Sequence, residues 1–386
     1  MLLLLAFIFY LTVTGANYPS SLLSSLLMGF EDDLMKFFAF LDTPKIISDM
    51  LILGVYRCLA WVVSVMLPPM AIFFPLFTLL EDLGFLPRVA FNLDHTFKKC
   101  KTCGKQALTM CMGLGCNAAG VVGCRIIDSP RERLIAILTN SLVPCNGRFP
   151  TIITIMTIFF AGGLAGGFSS LFSALSLTLV IALGIAITFL MSWALSKTLL
   201  RGEPSVFCME LPPYRKPLIK KTLVRSLFDR TLFVLGRAAA VAAPAGLLIF
   251  LMANFKVGGE TLLFHFSSFL DPLGRLMGLD GVILLAFILG FPANEIVMPI
   301  AIMVYMSGGV LTEITDLIFL KDLLISNGWT TTTALCTVVF SLAHFPCSTT
   351  CLTIYKETKS IKWTALAIVL PTILGMGLCI LINFIF

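Results

Sequence analysis

Charge is what this chain has least of. Asp, Glu, Lys and Arg together make up 12% of 386 residues, about half the share of an ordinary soluble domain, which excludes a water-facing globular surface. Histidine is scarcer still, with three residues, so enzyme chemistry has little to work with. No GxxxxGK[ST] phosphate loop occurs; the nearest fragment, Gly104-Lys105-Gln106, lacks the upstream glycine and the magnesium-binding hydroxyl. The chain is therefore not expected to hydrolyse nucleotides by itself. HExxH and Gly-x-Ser-x-Gly patterns are missing as well, which removes the common metalloprotease and esterase readings.

In place of charge there is apolar length. Hydrophobic residues reach 58% and the mean hydropathy is +0.99, so the bilayer is the expected solvent. Leu171–Leu195 and Trp363–Phe386 each run for the roughly 20 apolar residues that cross a hydrocarbon core. Apolar windows predict helices at about 1–16, 51–80, 106–124, 132–162, 168–197, 228–252, 282–305, 331–355 and 363–386. Residues 2–14 lack the basic start of a signal peptide and have only a loose small-residue site at Thr14-Gly15-Ala16, so they read as a short first span. Apolar sequence begins at Met1 with no cytoplasmic flank, and a further N-terminal part is expected. The twelve cysteines lie mostly in or beside apolar segments, where thiols pack as small hydrophobes, and are expected to be reduced.

The net charge of +6 reports orientation. Lys197, Arg201, Arg215, Lys216, Lys220, Lys221 and Arg225 crowd the linker 198–226, opposed only by Glu203 and Glu210, which places it in the cytoplasm. The basic loops 98–105, 125–133 and 356–362 join it there if 106–124 and 282–305 are re-entrant or broken rather than crossing. The acidic loops 17–50 and 306–330 then face outward. Seven spans and two re-entrant segments satisfy the rule.

Internal similarity supports a duplicated unit. Leu67-Pro68-Pro69 returns as Ala242-Ala243-Pro244, Gly115-Cys116-Asn117-Ala118 as Gly290-Phe291-Pro292-Ala293, and Pro144-Cys145 as Pro346-Cys347. In the threading above the helix at 51–80 runs inward and its counterpart at 228–252 outward, so the copies are inverted. Inverted repeats with discontinuous helices describe many secondary transporters.

The polar residues inside these apolar segments carry the chemistry. Gly113-Leu114-Gly115-Cys116-Asn117 reads as a helix break with ligands attached, although glycines alone serve close helix packing equally well. The amide of Asn117 needs partners in lipid and can offer an oxygen to a cation. Gly290-Phe291-Pro292-Ala293-Asn294-Glu295 holds a proline that frees a carbonyl and an acid that either marks an ion or proton path or lies near the interface and pairs with an arginine. Cys145 and Cys347 follow prolines within expected spans, with Cys351 one turn beyond Cys347 and His344 three residues before it. Iron(II), copper(I) and zinc accept such sulfur ligands, whereas magnesium and calcium do not favour them. Cys100-Lys101-Thr102-Cys103, in a basic loop, reads as half of a metal site, a redox pair or a simple reduced loop.

At these residues the sequence resembles the membrane part of the ferrous iron transport protein B family, FeoB. The likeness lies in Gly115-Cys116-Asn117, Arg125, Arg131-Glu132-Arg133-Leu134, Pro144-Cys145-Asn146-Gly147-Arg148, Gly290-Phe291-Pro292-Ala293-Asn294-Glu295 and Pro346-Cys347, and it covers nearly the whole chain. The resemblance implies an all-α polytopic membrane protein with two inverted Gate-type repeats and broken or re-entrant helices. The expected organisation is a first span and outer amphipathic segment at 1–50, Gate repeats at 51–162 and 228–355, a connecting span and basic linker at 163–227, and a C-terminal span at 356–386.

The resemblance also implies iron(II) import across a bacterial inner membrane. Cys116, Asn117, Cys145, Glu295 and Cys347 are the candidate metal ligands, Cys100, Cys103, His344 and Cys351 secondary ones, and Gly113, Gly115, Gly290 and Pro292 the structural breaks. Fe2+ is then cargo, with no permanently bound cofactor, and GTP with Mg2+ acts only through a G domain, which family members usually carry N-terminally and which this sequence does not contain. Expected partners are the bilayer, a cytoplasmic G domain, small accessory Feo proteins and further copies of the chain; nucleic acid is not among them. Two rival readings are a nucleoside or other small-solute transporter of the Gate type, and a non-transporting membrane sensor in which the CxxC reports metal or redox state.

Overall fold

In the computed structural model of the chain, which describes all residues except Met1, 162–166, 203–223, 225–227, 229–230, 312–313 and 315, the apolar windows fold as helices. Helix α1 (Leu2–Phe40) continues far past the expected 1–16 span, because Pro19 removes one backbone donor without stopping an otherwise unbroken helical run. It packs antiparallel to α2 (Arg57–Asp82): Tyr56 donates to the Leu27 carbonyl and Arg57 meets Glu31 at 3.4 Å. Next, α3 (Phe85–Lys99) occupies sequence in which no helix was expected. Its buried Val89, Ala90 and Phe97 face the core while Phe91, Asn92 and Lys98 are outward. At 15 residues, about 22 Å, it is too short and too polar to cross, so a search for spans passes over it.

The two segments expected to be broken are broken. The first divides into α4 (Lys105–Gly115) and α5 (Asn117–Gly123), separated by Cys116 in extended conformation (φ −157°, ψ 123°). After α6 (Pro130–Thr139) the chain breaks again before α7 (Phe149–Met156), so the expected single helix 132–162 is two. Pro144 is the cause: the residue before a proline is pushed out of the helical region, and Val143 is extended at ψ 121°. Long α8 (Gly167–Lys197) follows. The basic linker 198–226 lies almost wholly outside the described residues.

The second half opens with α9 (Phe233–Asn254) and a two-residue hairpin, β1 (Lys256–Val257) and β2 (Glu260–Thr261). Gly258 and Gly259 turn that hairpin at φ 66° and 97°, where a side chain is strained. Helix α10 (Leu262–Leu276) meets α11 (Gly281–Leu289) at 111°. The break Gly290–Ala293 then leads to α12 (Val297–Tyr305), and α13 (Leu317–Ser326) meets α14 (Thr331–Leu342) at 106°. The outer loop expected over 306–330 therefore contains a helix. The expected helix 331–355 is split between α14 and α15 (Ser348–Thr358), again at a proline, Pro346. Helix α16 (Ile361–Ile385) closes the chain.

Among the described residues five helices are long and apolar enough to cross a membrane, seven if each bent pair counts as one span. The core is built where α7, α9, α11, α12 and α14 meet, around Ile152, Ile155, Ala242, Phe287, Ile300 and Phe340. Lipid tails are as apolar as these side chains, so close packing rather than expulsion of water holds the helices together.

The basic segments meet at one end. Arg131 donates to the carbonyls of Lys101, Leu200 and Gly202, Lys105 pairs with Asp128, and Arg125 grips Glu357 through Nε and Nη2 at 2.8 and 2.6 Å. The charge pattern alone had grouped these loops, and the contacts join them.

Candidate ion site at the helix breaks

Each break puts a polar or sulfur side chain at the start of a short helical piece. Cys116 precedes α5, Cys145 (φ −85°, ψ 167°) precedes a single turn at Asn146–Arg148, Ala293 (φ −152°, ψ 123°) precedes Asn294–Ile296, and Cys347 precedes α15. Cys116 and Ala293 share one backbone conformation and each is followed by an asparagine. The structural correspondence is therefore Cys116-Asn117 with Ala293-Asn294, two residues away from the alignment of Gly115 with Gly290 that the sequence suggests.

The four breaks surround one cavity. Its lining includes Cys116, Asn117, Cys145, Glu295 and Cys347, every primary ligand candidate, together with Gly115 and Pro292. Its volume is about 30 Å³, room for about two water molecules. Glu295 is 8% exposed and its carboxylate lies against Gly147, where a Cβ would collide with Oε1. Among the described residues no three His, Cys, Asp or Glu side chains close on a common point that would hold an ion. The site is an ion-sized chamber with donors on its walls rather than a finished cage such as a structural zinc site.

Hydrogen bonds fix the walls. In the first half, Asn140 donates to the Asn117 carbonyl at 2.9 Å, and the Asn117 amide nitrogen is placed to donate to the carbonyls of Gly113, Val143 and Asn140. Gly113 and Gly120 leave space for Asn140, whose oxygen would collide with a Cβ at either position. In the second half, Ser348 bonds Phe291 O through its backbone at 2.8 Å and Pro292 O through its hydroxyl at 3.3 Å. Across the halves runs Arg148, fully buried, donating to Ser141 O and Leu342 O at 2.8 Å and reaching His344 O and Phe345 O at 3.3 and 3.4 Å. One guanidinium thus satisfies carbonyls that both proline breaks leave without helical partners.

The secondary candidates are elsewhere. His344 does not line the cavity: Nδ1 faces the carbonyls of Phe340 and Ser341 at 3.1 and 2.9 Å, and Nε2 lies 3.4 Å from Asn294. The imidazole is packed among Phe287, Phe340 and Phe345, and it positions Asn294. Cys351 turns its sulfur to Pro346 O at 3.5 Å, away from the chamber that Cys347 lines. Neither Gly113 nor Gly290 lines the cavity: Gly113 lies within α4 against Asn140, and Gly290 opens the second break, where it ends α11 and packs against Val297.

Cys100 and Cys103 belong to the distant loop at the basic end. Burial, and then the neighbouring Glu132 carboxylate, push the Cys103 thiol up to about 12. Such a thiol is a poor redox partner at neutral pH.

Several lining residues were not singled out from sequence. Met66 and Met70 of α2, Asn146, Gly147, Asn294 and Thr349 complete the wall. Asn146, Gly147, Arg148 and Asn294 stand within the quoted motifs, so motif position was an available signal. Met66 and Met70 sit in an ordinary apolar helix and gave none.

Polar breaks meeting at a buried chamber inside an apolar helical bundle define a multi-pass α-helical membrane protein. Two family descriptions match it: "Nucleoside recognition", the Gate family, at residues 63–159, and "Ferrous iron transport protein B C terminus" at 177–229. Proteins described as "Fe(2+) transporter FeoB" are similar along most of the chain. That of Staphylococcus aureus (strain MSSA476) is 29% identical over 380 residues, covering 95% of this chain and 54% of its own length. The Synechocystis protein is 26% identical (86% and 52% covered) and the Methanocaldococcus jannaschii protein 25% (95% and 53%). No solved structure matches. The chain is thus related to the membrane part of the FeoB family, and it spans about half the length of the curated relatives it matches.

Proposed function

We propose that the chain is the permease part of a ferrous iron uptake system, carrying Fe2+ through the chamber at the helix breaks in a bacterial inner membrane. The observation that carries this reading is the meeting of Cys116, Cys145, Cys347, Asn117 and Glu295 in one cavity. Sulfur, amide oxygen and carboxylate together suit a borderline divalent ion better than Mg2+ or Ca2+. Donors spread over the walls, without a closed cage, suit an ion that has to leave again. GTP dependence, a G domain docking on the basic end, accessory Feo proteins, self-association and an inverted relation between the two halves belong to the same proposal.

The Gate description favours a second reading, transport of a nucleoside. Size argues against it at the helix breaks: the cavity there is about 30 Å³, whereas pockets for organic ligands of that kind run to hundreds of Å³. A dehydrated cation with one water fits.

The test is uptake of radioactive Fe2+ into proteoliposomes holding this chain, with Zn2+ and Mn2+ as competitors. Saturable uptake that falls at least about tenfold in both Cys116→Ala and Glu295→Gln, equivalent to about 1.4 kcal/mol or more of lost stabilisation each, is the expected result. Uptake seen only after a FeoB G domain is added would make the chain one half of a two-part machine. Absence of uptake even then would remove iron as the cargo.

A further inference from the structure

The chamber holds more sulfur than its thiols supply. Met66 and Met70, four residues apart on α2 and so on one face of it, both line the cavity. Pro68 and Pro69 between them remove two backbone donors from the helix at the level of the breaks. With Cys116, Cys145 and Cys347 they make five sulfur-bearing side chains around one carboxylate, and no imidazole lines the space. Thr349, 3% exposed and also in the lining, has a hydroxyl oxygen with no hydrogen-bond partner among the described residues. A buried oxygen without a protein partner calls for a water or a ligand, and Thr349 is one of the residues of the wall.

Two physical facts narrow what that is. Thioethers and thiolates select soft ions, of which Cu(I) is the biological example. Thioethers also carry no charge, so in an apolar interior they complete the shell of a monovalent ion without a further buried anion, whereas a divalent ion needs two anions for neutrality. Cu(I) and its surrogate Ag(I) are satisfied by two or three soft ligands. Such an ion asks for fewer donors than the closed His, Cys, Asp and Glu cluster that the described residues do not form, and thioethers and thiols share the wall of this chamber.

We propose that this cavity is a binding site for a soft monovalent cation, Cu(I) or Ag(I), held by Met66 or Met70 together with a cavity thiol. The inference rests on the chamber being the ion site and not on iron being the cargo. Its consequence is that Cu(I) competes for the path and that the two methionines set how strongly it does so.

The experiment uses the full chain, purified in detergent, labelled with selenomethionine and loaded with one equivalent of Cu(I) under reducing conditions. X-ray absorption at the copper edge reads the donors directly, since selenium scatters differently from sulfur. The expected result is a copper–selenium shell in the labelled chain that is lost in Met66→Leu/Met70→Leu. In that variant affinity for Cu(I), measured against a chromophoric Cu(I) chelator, falls at least about tenfold, about 1.4 kcal/mol.

The chain has 17 methionines, so a selenium shell that survives in the double variant overturns the assignment. So does a labelled wild type with no selenium shell, or Cu(I) binding that disappears with Cys100→Ser/Cys103→Ser. If the double variant fails to elute as a folded species, the two single Met→Leu variants take its place; the wild-type spectrum decides the question of thioether ligation in either case. Fe2+ uptake is scored separately in proteoliposomes, with and without an added G domain: a selenium shell with no iron uptake under either condition would refute the cargo and leave the soft-ion site standing.

Discussion

At Gly147 the absence of a side chain is what lets the Glu295 carboxylate reach the chamber. A Cβ there would collide with Oε1 and Cδ, the far end of a flexible side chain that can swing away at little cost to folding. Gly147→Ala is therefore expected to leave the melting temperature in detergent within a few degrees of wild type while Fe2+ uptake falls several-fold. An equally large loss of stability would mean that the glycine serves only packing. Cys103 gives a second prediction, outside the membrane-spanning part. Its thiol is pushed up to about 12, so below that value it is mostly protonated and its thiolate fraction grows about tenfold per pH unit. Alkylation of Cys103, followed by mass spectrometry, should accelerate without a plateau between about pH 7 and pH 9. A plateau near neutrality would show an activated thiol and revive the redox-sensor reading.

At the scale of elements, the breaks rather than the helices carry the site, and Arg148 is what holds breaks from the two halves together. A lysine at this position keeps a charge but loses the planar fork that reaches several carbonyls at once. Each buried carbonyl left without a donor costs about 1–3 kcal/mol. Arg148→Lys is expected to destabilise the chain by at least ~2 kcal/mol, seen as a clear drop in thermal stability in detergent. An unchanged melting temperature would mean that the carbonyls find other donors. Extended Cys116 was legible because Gly113, Gly115 and Asn117 inside an apolar run are local costs. The breaks at Val143–Cys145 and Ala343–Cys347 fall inside windows whose apolar pattern predicts continuous helix, although Pro144 and Pro346 mark them; proline is tolerated often enough in membrane helices that its effect depends on which neighbours satisfy the freed carbonyls. Here Arg148 does.

At the scale of the molecule, the basic loops converge on one end through Arg131, Arg125 and Lys105. In the function proposed above, that end is the surface offered to a G domain. Reversing the charge of Arg125, which holds Glu357, is expected to weaken any stimulation of Fe2+ uptake by an added G domain and to leave unstimulated uptake in place. Loss of unstimulated uptake as well would show that the pair serves the path itself.

What the sequence by itself determined is the membrane setting, the approximate helices and the identity of Cys116, Asn117, Cys145, Glu295 and Cys347 as candidates. Length of apolar run and the cost of glycine, proline, amide and acid within it are properties of the local chain. Only the tertiary structure decided that these five share one chamber, that His344 and Cys351 turn away from it, that Arg148 bridges the halves, and that Met66 and Met70 complete the wall. Those outcomes depend on which faces of distant helices meet. A methionine on a hydrophobic helix looks the same in sequence whether it faces lipid or an ion.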